Sequence, residues 1–324
     1  MSQNNQRIMS ILFFLLIVSA CTSLVPIKVG PPEEITVEQT PSRIERGKYL
    51  ANHVTVCIDC HATRNWNKYS GPIEPGTEGK GGELFDESKG LPGKVYSKNI
   101  TPYAIGDWSD GELARAITSG VNKAEEALFP IMPYEYYSSL SQEDLFSIVA
   151  YIRTLKAAEY TPPKRKLNFP MQYIVRTIPK PSKANPEPVK TDHLAYGKYM
   201  TTISGCAGCH TPQDKRGQKI AGMDYAGGFK FPFPNGTVAT SANITPDLET
   251  GMGNKTKENF IGMFKAYADK EAKNMIVPDG EGNTVMPWTF YAGMTEEDLG
   301  AIYDYLMTVK PVKNRVAKFM VSEN

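Results

Sequence analysis

The sequence predicts an all-α protein made of two tandem domains joined by a proline-rich connector. The same series of short motifs occurs twice in the same order, which indicates an internal repeat. Each copy ends in a capped amphipathic helix. Several prolines between the copies exclude a single connecting helix. We therefore place the domains at residues 42–156 and 190–312, the connector at 157–189 and a C-terminal tail at 313–324. We expect the apolar middle of the connector to pack across both copies.

Both copies begin with a Gly-Lys-Tyr segment, at Gly47–Tyr49 and Gly197–Tyr199. A Cys-x-x-Cys-His motif comes next, followed by a Gly-Gly loop, an Asn-Ile-Thr-Pro segment and a Met-Pro-aromatic segment. In the two copies these are Cys57–His61 and Cys206–His210, Gly81-Gly82 and Gly227-Gly228, Asn99–Pro102 and Asn243–Pro246, and Met132–Tyr134 and Met286–Trp288. The matched order predicts that the two domains share one fold.

Helix starts follow these motifs. Ser141 and Thr295 are predicted to cap the closing helices and satisfy free amides of the first turn. The acidic residues that follow them suit the helix dipole. Apolar residues then recur at i, i+3, i+4 and i+7, so one face of each closing helix packs inward. Two further starts are predicted earlier in the copies, with Ser109 and Glu112 as a capping box and Thr256 with Asn259 as a weaker one.

Gly47 and Gly197 fall where each copy's first helix is predicted. A glycine inside a helix is locally unfavourable by about 1 kcal/mol. We expect the gain to be a close crossing with the closing helix of the same copy, near 43–53 and 142–156 in the first. The alternative is a helix that simply begins near the glycine.

The Cys-x-x-Cys-His motif is the attachment signature of a c-type haem. Cys57 and Cys60, or Cys206 and Cys209, can each form thioethers to the two vinyl groups of one porphyrin. The adjacent His61 or His210 can then bind the iron. A redox dithiol or half of a zinc site are the alternatives. A redox dithiol does not need the histidine, and His53 and His193 supply no zinc spacing.

A sixth iron ligand has to come from elsewhere in each copy. Among thirteen methionines, Met132 and Met286 share a matched place, each nine residues before the cap of its closing helix. The proline that follows stiffens each loop. We predict Met132 as the distal ligand of the first iron and Met286 of the second, a His/Met pair that favours electron transfer. We expect His53 and His193 to lie at the surface or near a site without binding iron.

The N-terminus predicts export. Residues 1–20 combine Arg7 with a short apolar run, as in a signal peptide. Cys21, the odd cysteine of five, ends a lipobox-like Val18–Cys21 and would carry lipid; ordinary cleavage is the alternative. Residues 21–41 are predicted to form a lipid-anchored flexible tether. This places the domains on the periplasmic side of a bacterial membrane.

The motifs together resemble the class I cytochrome c fold, and more narrowly the cytochrome c subunits of bacterial membrane-bound alcohol, aldehyde and gluconate dehydrogenases. The resemblance covers about residues 42–312. It implies two haems c, with His61 and His210 proximal and Met132 and Met286 distal. Those subunits usually carry three haem motifs, whereas this chain has two.

The resemblance implies an electron carrier without substrate chemistry of its own. Its donor would be a dehydrogenase catalytic subunit, and its acceptor an oxidase or another cytochrome. A formal charge of +1 gives no indication of nucleic-acid binding. The alternative is a dihaem enzyme, of the cytochrome c peroxidase or thiosulfate dehydrogenase type, which needs an open position on one iron.

Overall fold

The computed structural model describes residues 27–215 and 217–321. The predicted signal peptide and Cys21 lie outside these residues. Within them, the helices form two matched sets, one in each predicted domain. One apolar core cluster contains residues of both sets, including Leu50 and Ile148 from the first and Tyr196 and Leu299 from the second. The two copies therefore pack against each other through a shared core.

The first copy opens with a helix that passes into a short π-helical turn at Leu50–Val54. Its elements in chain order are α1 (Pro41–Tyr49), α2 (Cys57–Cys60), β1 (Leu84–Phe85), β2 (Gly93–Tyr96), α3 (Pro102–Ile105), α4 (Asp110–Ser119), α5 (Tyr134–Tyr137), α6 (Gln142–Arg153), β3 (Lys166–Leu167) and α7 (Met171–Ile174).

The second copy repeats this order with local differences. Its elements are α8 (His193–Ile203), α9 (Cys206–His210), β4 (Lys230–Pro232), β5 (Thr237–Thr240), α10 (Lys257–Lys265), α11 (Lys270–Lys273), α12 (Trp288–Tyr291), α13 (Glu296–Leu306) and β6 (Phe319–Val321).

The predicted helix caps are confirmed. The Ser109 hydroxyl accepts from the Glu112 amide at 3.1 Å, and the Glu112 carboxylate accepts from the Ser109 amide, which completes a capping box. The hydroxyls of Ser141 and Thr295 cap α6 and α13, and each accepts from the amide three residues on at 3.1 Å. Each cap joins residues only three positions apart, so the local sequence is enough to predict it.

The predicted crossings at the two glycines are also confirmed. A Cβ added to Gly47 would lie 1.8 Å from the Ser147 carbonyl oxygen of α6. A Cβ added to Gly197 would lie 2.1 Å from the Ala301 carbonyl oxygen of α13. Neither distance is compatible with a side chain, so in each copy the first and closing helices approach at backbone contact.

Two small antiparallel sheets correct the all-α prediction. They have the strand orders β1-β2-β3 and β4-β5-β6. The third strand of each comes from beyond the predicted domain end: β3 from the connector and β6 from the C-terminal tail. The first copy therefore extends past residue 156 and the second past residue 312. Each includes a strand from a segment that was predicted to lie outside the domain.

The connector and the tether also differ from the predictions. Leu167, Met171 and Val175 join an apolar cluster whose other members lie within residues 27–131, so this part packs on the first copy rather than across both. Val37, in the predicted flexible tether, is only 5% exposed, and its amide donates to Asp110 Oδ2 at 2.8 Å. The tether prediction is therefore wrong around Val37, where the chain is docked against α4.

A reciprocal pair of contacts joins the two copies. The Tyr49 hydroxyl of α1 donates to the carboxylate of Asp298 in α13. At the equivalent place, the Tyr199 hydroxyl of α8 donates to Asp144 Oδ2 of α6 at 2.6 Å. Burial, and then the neighbouring carboxylate, raise the pKa of both tyrosines, so each keeps the proton that it donates. The tyrosine of each Gly-Lys-Tyr segment thus binds the closing helix of the other copy.

Candidate functional site

The two Cys-x-x-Cys-His motifs form short helical turns, entered through the same unusual backbone. The residue before the first cysteine has a positive φ in both copies, +44° at Val56 and +69° at Gly205. Glycine adopts this conformation freely. A β-branched valine does so at a cost of about 1–3 kcal/mol, which the surrounding structure has to offset. Each motif therefore begins directly after a residue with positive φ, a short distance beyond α1 or α8.

Both motif histidines are oriented by a backbone carbonyl. His61 Nδ1 lies 2.6 Å from the Lys98 carbonyl oxygen, and His210 Nδ1 lies 2.7 Å from the Ala242 carbonyl oxygen. Because a carbonyl oxygen can only accept, Nδ1 carries the proton and donates it in this hydrogen bond, which leaves Nε2 with a free lone pair. Burial lowers the pKa of both imidazoles and favours this neutral form. Such a second hydrogen bond is what orients a metal-binding histidine.

In the first copy, the Gly-Gly and Asn-Ile-Thr-Pro segments hold the Lys98 carbonyl in place. The Gly81 amide donates to the His61 carbonyl at 3.0 Å, and Gly81 has a φ of +71°. A Cβ there would lie 2.4 Å from the Lys98 carbonyl oxygen, which accepts the hydrogen bond from the imidazole. Asn99, the next residue, accepts from the Thr101 amide and hydroxyl at 2.9 and 2.7 Å. Both segments therefore support the histidine.

The second copy uses the same supports. The Gly227 amide donates to the His210 carbonyl at 2.7 Å, and a Cβ on Gly227 would lie 2.4 Å from the Ala242 carbonyl carbon. Asn243 accepts from the Thr245 amide and hydroxyl at 3.0 and 2.7 Å. Repetition was the signal for these residues in the sequence, but their role depends on contacts that only the fold shows.

Of the four motif cysteines, three are partly buried and Cys209 is exposed. Burial raises the pKa of Cys60 and of Cys206 to about 12 in each case, so both are protonated at neutral pH. A redox dithiol depends on a lowered pKa. In the described part of the chain, no cluster of three or more His, Cys, Asp or Glu side chains is arranged to hold a metal ion. The two thiols and the imidazole Nε2 of each motif are the groups that a covalently attached haem would need from the protein.

Met132 and Met286 occupy equivalent loops. Both are partly buried against the core that also contacts Cys57 and Cys206. In each loop the amide two residues on donates to the methionine carbonyl at 2.8 Å, and the intervening proline has a similar backbone conformation. The matched placement predicted from the sequence is therefore matched in the fold.

Two tyrosines tie these loops to the cysteine motifs. The Tyr137 hydroxyl, in α5, donates to the Thr55 carbonyl at 2.6 Å. The Tyr291 hydroxyl, in α12, donates to the Ser204 carbonyl at 2.7 Å. Each acceptor lies two residues before the first cysteine of its own motif. Neither tyrosine was predicted from the sequence, because each lies five residues after its methionine and no local pattern indicates its distant partner.

The remaining histidines are placed differently. His193 is exposed at the start of α8. His53 is partly buried, and its Nδ1 lies 2.9 Å from the Phe290 carbonyl of the other copy. A Cβ on Gly293 would lie 2.1 Å from the same ring nitrogen, so the ring fills the space beside this glycine. His53 is thus part of the contact between the copies.

The family model for cytochrome c matches residues 194–310, which hold all of α8 except His193, together with α9, the Met286 loop and α13. Residues 194–310 are a cytochrome c domain. This domain implies covalent haem c, and the Cys206–His210 motif lies within it. The first copy carries the same motif, the same histidine support and the same methionine loop.

Similar proteins extend the relationship over most of the chain. It is 28% identical over 295 residues to the cytochrome c subunit of a quinone alcohol dehydrogenase from Gluconacetobacter polyoxogenes, covering 85% of this chain and 58% of that one. It is 27% identical over 289 residues to a gluconate 2-dehydrogenase cytochrome c subunit from Pantoea cypripedii, covering 82% and 59%. It is 26% identical over 267 residues to a fructose dehydrogenase cytochrome subunit from Gluconobacter japonicus, covering 76% and 49%.

These matches confirm the predicted resemblance to cytochrome c subunits of dehydrogenases. The chain spans between 49 and 59% of the length of these three relatives. Within the residues that the structure describes, the helices are too short or too polar to cross a membrane.

Proposed function

We propose that this chain is a dihaem c-type cytochrome that carries electrons from a dehydrogenase catalytic subunit to an oxidase or another cytochrome. The observation that carries the proposal is the duplicated site. In both copies a carbonyl orients the motif histidine, and a tyrosine ties the methionine loop to the cysteine motif. The names of the relatives support the dehydrogenase as donor.

In this proposal each residue has a defined task. Cys57 and Cys60, with their counterparts Cys206 and Cys209, hold the two haems covalently. His61 and His210 supply Nε2 on one side, and Met132 and Met286 supply sulfur on the other. A haem iron with His and Met ligands exchanges single electrons at a raised potential. The tyrosine and carbonyl contacts keep the ligands in place, so that little needs to move during the transfer.

The proposal is tested by the haem content and ligand access of the purified holoprotein. We expect a pyridine haemochrome assay to give two covalent haems per chain. We also expect the reduced protein to leave carbon monoxide unbound, since a methionine closes each iron. The dihaem-enzyme alternative requires an open iron, and two equivalent methionine loops do not favour it. One haem per chain would contradict the dihaem assignment, and ready carbon monoxide binding by the unaltered protein would contradict the carrier proposal.

The membrane anchor is a separate part of the proposal. Cys21, which follows the predicted signal peptide, would carry lipid and hold the haem domains on the periplasmic side. A diacylglycerol with an added acyl chain gives stable attachment, whereas a single chain is marginal. We expect Cys21→Ser to move the holoprotein to the soluble periplasmic fraction or to leave it uncleaved. A Cys21→Ser protein of mature mass that still sediments with membranes would exclude the lipid anchor.

A further inference from the structure

A loop of the first copy crosses over to the methionine loop of the second. The Tyr69 amide donates to the Met275 carbonyl at 2.8 Å, and the Val277 amide donates to the Asn67 carbonyl at 2.9 Å. The Tyr69 ring stacks on Tyr267, with 5.7 Å between the ring centroids. Residues 67–70 of the first copy therefore lie along the segment that leads to Met286.

Ser70 lies at the end of this crossing, and its hydroxyl bridges the two ends of the methionine turn, in addition to the direct bond from the Trp288 amide to the Met286 carbonyl. Ser70 Oγ donates to the Met286 carbonyl at 2.6 Å and accepts from the Trp288 amide at 3.0 Å. Ser70 is fully buried. Because the hydroxyl bridges the residues on either side of Pro287, it fixes the backbone that carries the Met286 side chain.

The backbone of Ser70 is itself held in an unfavourable conformation. Its φ is +64°, a region that few residues other than glycine adopt. Three contacts hold it there. The Ser70 amide donates to Asn283 Oδ1 at 2.9 Å, and Arg64 donates to the carbonyls of Ser70 and Gly71 at 2.8 and 2.9 Å. A strained backbone that is fixed from both sides indicates a position selected for the hydroxyl it presents.

The arrangement also reaches the first cysteine motif. Arg64 pairs with Asp59, which lies between Cys57 and Cys60, at 3.2 Å, and both side chains are about 95% buried. A chain of polar contacts therefore runs from the first motif through Arg64 and Ser70 to the Met286 carbonyl. It links the proximal side of one copy to the distal loop of the other.

The first copy's methionine loop is held differently. Its backbone pairs with groups of its own copy: the Met132 amide donates to the Phe129 carbonyl at 3.1 Å, and the Tyr136 amide donates to Pro133 at 2.9 Å. From the second copy, Gly208 packs against the Tyr136 ring. The duplicated sites are therefore unequal in what supports their methionines.

We propose that Ser70 is a positioning residue, supplied by the first copy, that keeps the Met286 sulfur on the second iron. The inference rests on the proposed function, since it takes Met286 as the distal ligand. It adds that the second site is complete only when the first copy is docked against it. Ser70 does not bind iron and acts through the backbone of the Met286 turn.

The test is carbon monoxide binding by the reduced dihaem holoprotein. We expect Ser70→Ala to raise the apparent affinity for carbon monoxide at one haem by about tenfold, because the Met286 turn loses its bridging hydroxyl. The Fe–S charge-transfer absorption of the oxidised protein should weaken in parallel. Ser70→Gly removes the same hydroxyl while tolerating the positive φ, so it should give the same result if Ser70→Ala folds poorly.

Two combinations assign the effect to one haem. Added to Met132→Ala, which opens the first iron, Ser70→Ala should permit a second equivalent of carbon monoxide. Added to Met286→Ala, it should leave binding at one equivalent. Ser119→Ala is the matched control, because Ser119 is a buried serine of the first copy whose hydroxyl accepts from the Ser182 amide at 3.2 Å.

The outcomes separate the inference from the proposed function. If Met286→Ala binds no carbon monoxide, Met286 is not a ligand and both fail. If Met286→Ala binds one equivalent but Ser70→Ala and Ser70→Gly behave like Ser119→Ala, the ligand stands and the role of Ser70 is overturned. A second equivalent bound by Ser70→Ala with Met286→Ala would place the effect on the first haem and also overturn it.

Discussion

Met132→Ala is expected to let the reduced protein bind about one equivalent of carbon monoxide, where the unaltered protein binds none. Alanine offers no iron ligand, so the distal position of the first haem opens. The haem itself stays attached through Cys57 and Cys60, and His61 keeps its hydrogen bond to the Lys98 carbonyl. The potential of that haem should fall, because the thioether no longer favours ferrous iron. Absorption spectra recorded during a carbon monoxide titration and a redox titration measure both changes.

Met286→Ala should produce the same change at the second haem, and the double variant should bind two equivalents. Met263→Ala serves as the control, since Met263 is 37% exposed on α10 and has no counterpart methionine in the first copy. If Met132→Ala leaves the spectra and the carbon monoxide binding of the parent unchanged, the first iron has a different distal ligand. That result would favour the dihaem-enzyme alternative over the electron carrier.

Gly47→Ala should lower the free energy of unfolding by about 3 kcal/mol, at the upper end of the cost of overpacking. The added Cβ would lie 1.8 Å from the Ser147 carbonyl oxygen and 2.8 Å from Tyr151 Cβ, so α1 and α6 would have to separate. Gly197→Ala should have a similar effect on α8 and α13, where the nearest atom lies 2.1 Å away. Denaturant unfolding of the holoprotein, followed by circular dichroism, measures the change.

Gly262→Ala provides a matched control for both glycines. Gly262 also lies inside a helix, α10, but a Cβ there would meet nothing within 4 Å. Because alanine favours a helix interior by up to about 1 kcal/mol over glycine, this variant should be as stable as the parent or more stable. Equal stability for Gly47→Ala and Gly262→Ala would mean that the close helix crossing does not contribute as inferred.

The features that the sequence predicted correctly depend on neighbouring residues. Ser109 caps α4 and Ser141 caps α6 because a hydroxyl reaches an amide three residues away, whatever the rest of the chain does. Gly47 could be interpreted for a related reason: a costly glycine in a helical pattern, repeated at Gly197, indicates a contact that requires it.

The strands were missed because they are short and their pairing is distant. β1 and β3 contain two residues each, too few for an alternating pattern to be visible. The third strand of each sheet is reached only after the closing helix, in the proline-rich segment predicted as a connector and in the segment predicted as a tail. The docking of Val37 against α4 was missed for a similar reason, since a single apolar residue in an irregular segment carries no periodic signal.

The sequence by itself determined which residues we propose to hold haem. The attachment motif is contiguous, its spacing follows from the porphyrin's own dimensions, and its repetition marks the equivalent methionines. Only the tertiary structure decided how the copies face each other and what supports each ligand. The bonds from Tyr49 to Asp298 and from Ser70 to Met286 join residues more than 200 positions apart. Such contacts depend on the packing of complete helices and loops, and a single sequence contains no local pattern that specifies them.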